Sequence, residues 1–133
     1  MIVTDTNLLV YLYVRGERTD EAEAVLARDP LWTAPLLWRS EFRSAVAGLI
    51  RRGGLPLDGA FQIVNDAERF MSGREYGVVS HRVLQLATGT GCSTYDCEFV
   101  ALAEDLGAPL VTSDREVLKA FPALTVTPEI FTR

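Results

Sequence analysis

The sequence predicts one α/β domain of 133 residues, with a central parallel sheet flanked by helices. Short apolar segments with strand character alternate along the chain with longer segments of helical periodicity. Glycine and proline residues fall between these segments, where an α/β domain places its turns. Alternating strands and helices favour a parallel sheet with right-handed crossovers. We see no repeat, linker or low-complexity tract, so residues 1–133 are expected to form a single domain.

The first half of the chain carries signals for two strands and four helices. Thr19 or Asp20 can cap the second helix, and Pro35 suits the first position of the third. The pair Gly53-Gly54 is typical of a helix C-terminus. We expect strands at residues 2–4 and 31–34, and helices at residues 7–14, 19–27, 35–52 and 55–70.

The second half repeats this alternation with shorter strands. Gly107 and Pro109 end a helix that is apolar over much of its length. We expect strands at residues 76–79, 110–112 and 124–126, helices at residues 80–88, 94–106 and 114–120, and a terminal turn at residues 128–131.

Composition limits the possible functions. Hydrophobic residues make up 48% of the chain and charged residues 23%, as in globular proteins, and the apolar runs are too short to span a membrane. We therefore expect a cytoplasmic protein in which Cys92 and Cys97 are reduced structural thiols. The net charge of -5 opposes non-specific binding of phosphate, so a polyanionic substrate would need local positive charge.

Two acidic residues follow predicted strands directly. Asp5 follows the strand at residues 2–4, and Asp114 follows the strand at residues 110–112 after a hydroxyl residue. Functional groups of open α/β sheets gather beyond the carboxyl ends of the strands, which favours a site here. Each residue also precedes a helix, so a simple N-cap is an equally good explanation for either one alone.

Two further carboxylates complete a possible site. Asp96 has the Ser-x-x-Asp spacing of a capping box, whereas Glu41 falls on a broadly apolar helix face, at whose margin it could pair with an arginine. Carboxylates that are brought together raise one another's pKa, and a divalent cation is the ordinary way to neutralise them. Mg²⁺ suits such oxygen ligands, and no His or Cys cluster competes for another metal.

Polar and basic neighbours could support these acids. Short side chains beside them could orient the carboxylates, although local turn bonding is an alternative role. Arginines near Glu41 and Asp114 could contact substrate phosphates, although solvent-exposed helix surface is the commoner role. The orienting candidates are Thr6, Asn7, Thr112 and Ser113, and the phosphate-binding candidates are Arg39, Arg43 and Arg115.

Taken together, these motifs resemble the PIN domain family. The resemblance rests on Asp5-Thr6-Asn7, on Glu41, on Tyr95-Asp96 before CEFVALAEDLGAP, and on Leu-Val-Thr-Ser before Asp114, and it covers essentially the whole chain. The length matches the VapC-type toxins of toxin–antitoxin pairs. The resemblance implies a three-layer fold, an endoribonuclease dependent on Mg²⁺ or Mn²⁺, a homodimer, and inhibition by a cognate antitoxin. It also implies that Asp5, Glu41, Asp96 and Asp114 are the acidic quartet, with Asp5 and Asp96 as direct metal ligands.

The leading hypothesis is metal-assisted hydrolysis of RNA phosphodiester bonds. A bound cation lowers the pKa of its water, so no histidine base is needed, and the only histidine, His81, lies far from every motif. A nuclease for DNA or structured nucleic acid is one alternative, and a non-catalytic protein- or RNA-binding module is another. A phospho-acceptor signalling domain is less well supported, because Lys119 is poorly placed for that chemistry.

Overall fold

The computed structural model describes residues 1–133 and contains a five-stranded parallel sheet and eight helices. None of the helices is both long enough and apolar enough to cross a membrane. In chain order, the elements are β1 Ile2–Thr4, α1 Thr6–Tyr13, α2 Thr19–Arg28, β2 Trp32–Pro35, α3 Trp38–Arg51, α4 Leu57–Met71, β3 Glu75–Tyr76, α5 Ser80–Thr90, α6 Thr94–Leu106, β4 Leu110–Val111, α7 Arg115–Ala120, β5 Thr125–Val126 and α8 Pro128–Phe131.

The strands lie in the order β3-β2-β1-β4-β5, and all four pairings are parallel. From β1 the chain builds outward through β2 to β3, and it then returns to β4 and β5 on the other side of β1. The direction of winding therefore reverses between β1 and β4, where Thr4 is paired with Val111. In sheets of this type ligands bind at the carboxyl ends of the strands beside such a switch point.

The core lies between the sheet and the helices. Every residue of β1 and β2 is buried, as expected for central strands of a parallel sheet. Helix α6 packs across β1, β2 and β4, and α5 packs on α6, whereas α4 contacts β2 together with α1 and α3. Trp32 and Trp38 are at most 1% exposed and are among the largest side chains of this core.

Two predictions at helix starts were wrong. Pro35 does not open the third helix; it is the last residue of β2, since its pairing with Tyr76 of β3 keeps it extended, and α3 begins at Trp38. Thr19 does not cap α2 but is its first residue, with Arg18 at the cap position. The Thr19 hydroxyl instead donates to the carbonyl of Tyr11, because α1 and α2 pack together.

The predicted helix ends at glycine agree with the structure at two positions. Gly53 and Gly107 both have positive φ values, of 75° and 62°, that favour residues without a Cβ atom. The other predicted boundaries differ from the observed ones by a few residues at most; for example, the expected strand over residues 76–79 is a short pair, Glu75–Tyr76.

Candidate active site

Four acidic side chains from different parts of the chain line one cavity of about 410 Å³. Asp5 follows β1, Glu41 lies on α3, Asp96 lies in the first turn of α6, and Asp114 follows β4. The cavity thus lies at the carboxyl ends of β1 and β4, where the winding of the sheet reverses. The remaining lining residues are Thr6, Asn7, Ser44, Ala45, Phe99, Leu110, Thr112 and Val117.

Asp5 both caps a helix and faces the cavity. Its Oδ1 accepts a hydrogen bond of 2.9 Å from the amide of Leu8, and its Oδ2 accepts one of 2.8 Å from the hydroxyl of Thr112. Burial raises the pKa of Asp5 to about 6, although these hydrogen bonds, the Ser113 amide and the charge of Arg18 all lower it. The ionised form of Asp5 therefore destabilises the folded protein unless a positive charge neutralises it.

Glu41 is held by a residue of another helix. The hydroxyl of Thr6 donates to Oε1 of Glu41 at 2.8 Å and so links α1 to α3. Burial raises the pKa of Glu41, the bond from Thr6 lowers it, and the nearby charge of Asp96 raises it. Glu41 therefore faces the other acids rather than pairing with an arginine at the margin of the helix.

Asp96 lies in the first turn of α6, but it is not the cap of that helix. Ser93 is the cap, and its hydroxyl oxygen accepts a 3.1 Å hydrogen bond from the amide of Asp96. The carboxyl group of Asp96 lines the cavity instead. Burial raises the pKa of Asp96 most, and the charge of Asp114 raises it further. Hydrogen bonding of the carboxyl group with the Ser93 side chain lowers it.

Asp114 is more exposed than the other three and does cap a helix. Its Oδ1 accepts from the amides of Glu116 at 2.9 Å and of Val117 at 3.2 Å, which starts α7. Its own amide donates to the hydroxyl of Thr112 at 3.1 Å. Helix capping and a place at the cavity are therefore compatible for this residue, as they are for Asp5.

The short polar residues predicted beside the acids have different roles. Thr6 and Thr112 hold the carboxyl groups of Glu41 and Asp5, and Asn7 lines the cavity. Ser113 does not line it; its hydroxyl oxygen accepts a hydrogen bond from Arg18 at 2.9 Å.

None of the three predicted phosphate-binding arginines lines the cavity. Arg39 is engaged elsewhere: Nε lies 2.5 Å from Glu75 and Nη1 lies 3.1 Å from Glu68. These ion pairs tie α3 to β3 and α4 and hold the guanidinium group of Arg39 away from the lining of the cavity. Arg43 and Arg115 are exposed.

Two residues near the site were missed from the sequence. Ser44, one turn after Glu41, lines the cavity and shows no local signal beyond that spacing. Arg18 reaches Ser113 from 95 positions away, and no sequence pattern connects the two residues. Only the packing of α2 beside the turn after β4 brings them together.

The donor set has the chemistry that a hard divalent cation needs. The four acidic side chains offer carboxylate oxygens, none of the four takes part in an ion pair, and no His or Cys side chain lines the cavity. As they stand, no three His, Cys, Asp or Glu side chains of the protein are grouped so that they could hold a metal ion. The four acids thus fit such an ion by their chemistry, and their carboxyl groups would have to move closer together to surround it.

Fold and cavity together define the class of the protein. The sequence profile of the PIN domain matches residues 2–123, and the chain belongs to this family. Ribonuclease VapC3 of Pyrobaculum aerophilum is 35% identical over 131 residues, which cover 96% of this chain and 98% of that protein.

Solved structures show the same fold at lower sequence identity. PAE2754 from Pyrobaculum aerophilum superposes with a TM-score of 0.78 at 20% identity, covering 98% of this chain and 92% of that one. A toxin–antitoxin complex from Klebsiella pneumoniae gives 0.68 at 20% identity, with 96% and 98% covered. FitAcB from Neisseria gonorrhoeae gives 0.73 at 17% identity, with 97% and 99% covered. The three-layer α/β arrangement is thus shared across its full length.

Proposed function

We propose that this protein is the toxin of a toxin–antitoxin pair and acts in the cytoplasm as an endoribonuclease that requires Mg²⁺ or Mn²⁺. The observation that carries the proposal is the cavity lined by Asp5, Glu41, Asp96 and Asp114, in which four acids meet without a cationic side chain to pair with them. The relatedness of the chain to a protein named a ribonuclease supports RNA as the substrate.

Asp5 and Asp96 are the residues we expect to hold the cation directly, with Glu41 and Asp114 completing the set. A bound divalent ion would neutralise the acids, lower the pKa of water and stabilise charge that develops on the phosphate. Thr112 and Thr6 keep the carboxyl groups of Asp5 and Glu41 turned toward the cavity through their hydrogen bonds. Asp5 and Thr112 directly follow the paired strands β1 and β4, so the sheet fixes the spacing of these two residues along the backbone.

The proposed partners are a cognate antitoxin and a second copy of the chain. One chain of a solved toxin–antitoxin complex has the same fold as this protein, which supports a heterooligomer with an antitoxin. Homodimerisation remains the expectation from the family resemblance. Both are tested by co-purification with the small protein encoded beside this gene and by measuring the mass of the isolated chain in solution.

The decisive experiment is cleavage of a labelled structured RNA by purified, antitoxin-free protein in Mg²⁺, Mn²⁺ or EDTA. Wild type, Asp5→Asn and Asp96→Asn are compared, with Asp66→Asn as a control for the loss of one exposed carboxylate outside the cavity. We expect metal-dependent cleavage by wild type and Asp66→Asn only. Intact RNA but cut DNA under the same conditions would establish the alternative nuclease, and no cleavage of either would favour a non-catalytic module.

A further inference from the structure

An acidic cavity needs local positive charge to attract a phosphodiester. The chain carries a net charge of -5, and four carboxyl groups converge on the cavity. Repulsion of the anionic substrate is therefore strong unless a cation lies near the point of entry. A metal ion would supply part of this charge, and a side chain that reaches the backbone of the substrate would supply the rest.

Arg18 is the arginine whose position fits this need. Its Nη2 donates to Oγ of Ser113 at 2.9 Å, and Ser113 stands between Thr112 and Asp114, which both line the cavity. Its charge is also among the influences that lower the pKa of Asp5. Contact with Ser113 and electrostatic coupling to Asp5 both place the guanidinium group beside the acidic site.

Neighbouring side chains hold Arg18 in one orientation. Glu21 accepts from Nε at 2.9 Å and lies 2.8 Å from Nη2, and the hydroxyl of Tyr11 accepts from Nη1 at 3.2 Å. The guanidinium carbon lies 4.6 Å from the centre of the Tyr11 ring. An arginine that is already ordered loses less conformational entropy when it binds a ligand than a freely moving one does.

The hydrogen-bonding capacity of Arg18 is not exhausted. A guanidinium group has five N–H donors, and the contacts to Glu21, Tyr11 and Ser113 use Nε, both hydrogens of Nη2 and one of Nη1. One N–H of Nη1 is left, and the side chain is 42% exposed to solvent. A phosphate oxygen at the edge of the cavity can therefore reach a charged donor.

We propose that Arg18 binds a phosphate group of the substrate backbone beside the scissile bond, held in place by Glu21, Tyr11 and Ser113. The inference rests on the proposed nuclease function and adds a substrate-binding residue to it. This residue takes the place of Arg39, whose guanidinium hydrogen bonds go only to Glu75 and Glu68, whereas Arg18 contacts Ser113 between two residues that line the cavity.

The test compares Arg18→Gln with Arg15→Gln. Arg15 lies on the same segment, its side chain is 78% exposed, and its contact with Glu23 is 3.8 Å long, so both variants lose one charge while only one loses it beside the cavity. For RNA cleavage we expect Arg18→Gln to raise KM roughly tenfold at nearly constant kcat, since one charged hydrogen bond to phosphate is lost. Arg15→Gln should change KM less than about twofold, because salt screens the effect of this more distant charge on the substrate.

A second readout is independent of cleavage. Binding of a short RNA is measured in EDTA at several salt concentrations, and the loss of one phosphate contact should reduce the slope of log K against log salt by about 1. Equal affinities and slopes for the two arginine variants would overturn the inference. If wild type cuts no RNA yet Arg18→Gln alone weakens binding, the nuclease proposal fails and the phosphate contact stands; if wild type neither cuts nor binds RNA, both fail.

Ser113→Ala separates substrate binding from a structural role. This variant removes the 2.9 Å bond that Arg18 makes to the turn after β4 but keeps the positive charge. We expect it to raise KM less than Arg18→Gln does, because one of the three partners that hold the arginine is lost, and to keep the full salt slope. An equal fall in kcat for Ser113→Ala and Arg18→Gln, at unchanged KM, would instead show that Arg18 only orders this turn and would refute phosphate binding.

Discussion

The hydroxyl of Thr112 donates a 2.8 Å hydrogen bond to Oδ2 of Asp5, although the two residues are 107 positions apart in the chain. The same oxygen of Thr112 accepts from the amide of Asp114 at 3.1 Å. Thr112 thus connects the two acids that follow the adjacent strands β1 and β4. This link sets the spacing of one side of the cavity.

Replacing Thr112 by Val should impair the site as well as the fold. The substitution keeps the shape of the side chain and removes the donor to Asp5 and the acceptor for Asp114, at a cost of about 1–3 kcal/mol in the free energy of unfolding. Cleavage should fall at least tenfold because Asp5 loses its orientation. Thr33→Val is the matched control, because Thr33 is equally buried and its hydroxyl donates to the carbonyl of Ile2. This variant should destabilise the protein without a comparable loss in activity per folded molecule.

The stability of the metal-free protein should depend on pH through Asp5. Its pKa in the folded state, about 6, lies above its ordinary value of 3.8, so the folded protein binds the proton more tightly than the unfolded chain. Asp5 therefore costs nothing below about pH 4, and the penalty to the free energy of unfolding grows as pH rises through 6 to about 3 kcal/mol, since a tenfold difference in proton affinity is worth about 1.4 kcal/mol.

Asp5→Asn isolates this contribution from the other carboxyl groups. Asparagine keeps the cap to Leu8 and carries no charge, so the variant should be more stable than wild type above about pH 7 by this amount. The advantage should shrink to near zero by about pH 4. Chemical denaturation of both proteins in EDTA measures it, and a difference that does not vary with pH would contradict the role of burial at Asp5.

Divalent cations should stabilise the folded protein. Ions that bind the folded cavity and not the unfolded chain raise the free energy of unfolding by RT ln(1 + [ion]/Kd), which is about 2.7 kcal/mol at 100 times Kd. We expect Mg²⁺ or Mn²⁺ to raise the melting temperature at pH 7.5, and this increase should be lost in Asp5→Asn and Asp96→Asn. An undiminished increase in both variants would place the ion outside this cavity.

Arg39→Ala should affect stability rather than substrate binding. The variant leaves Glu75 and Glu68 without their arginine, and Glu75 keeps a single bond from the indole N–H of Trp38, so we expect a loss of roughly 1–2 kcal/mol. KM for RNA should stay within about twofold of wild type. Arg43→Ala, at an exposed position on the same helix, is the comparison variant. Thermal melts measure the loss of stability, and cleavage kinetics measure any loss of substrate binding.

Much of this fold could be predicted because its signals are local. Apolar strands such as Ile2–Thr4, the glycines that end α3 and α6, and the Ser93 cap depend on a few neighbouring residues. Helix α6 was therefore predicted with its observed bounds, Thr94–Leu106. The start of α3 could not be, because the pairing that keeps Pro35 extended comes from β3, 41 positions later.

The candidate site divides in the same way. Asp5, Asp114 and Glu41, next to strand ends or on an apolar helix face, could be selected from the sequence alone, since a carboxyl group in such a place is costly. Asp96 was selected through its capping-box spacing and the family resemblance. The use of the remaining polar groups was decided by tertiary structure. Packing turned Ser113 toward Arg18 and Arg39 toward Glu75, over separations of 95 and 36 residues. Local chemistry determines which residues can ionise or cap a helix, but which partner each one meets depends on how distant elements pack.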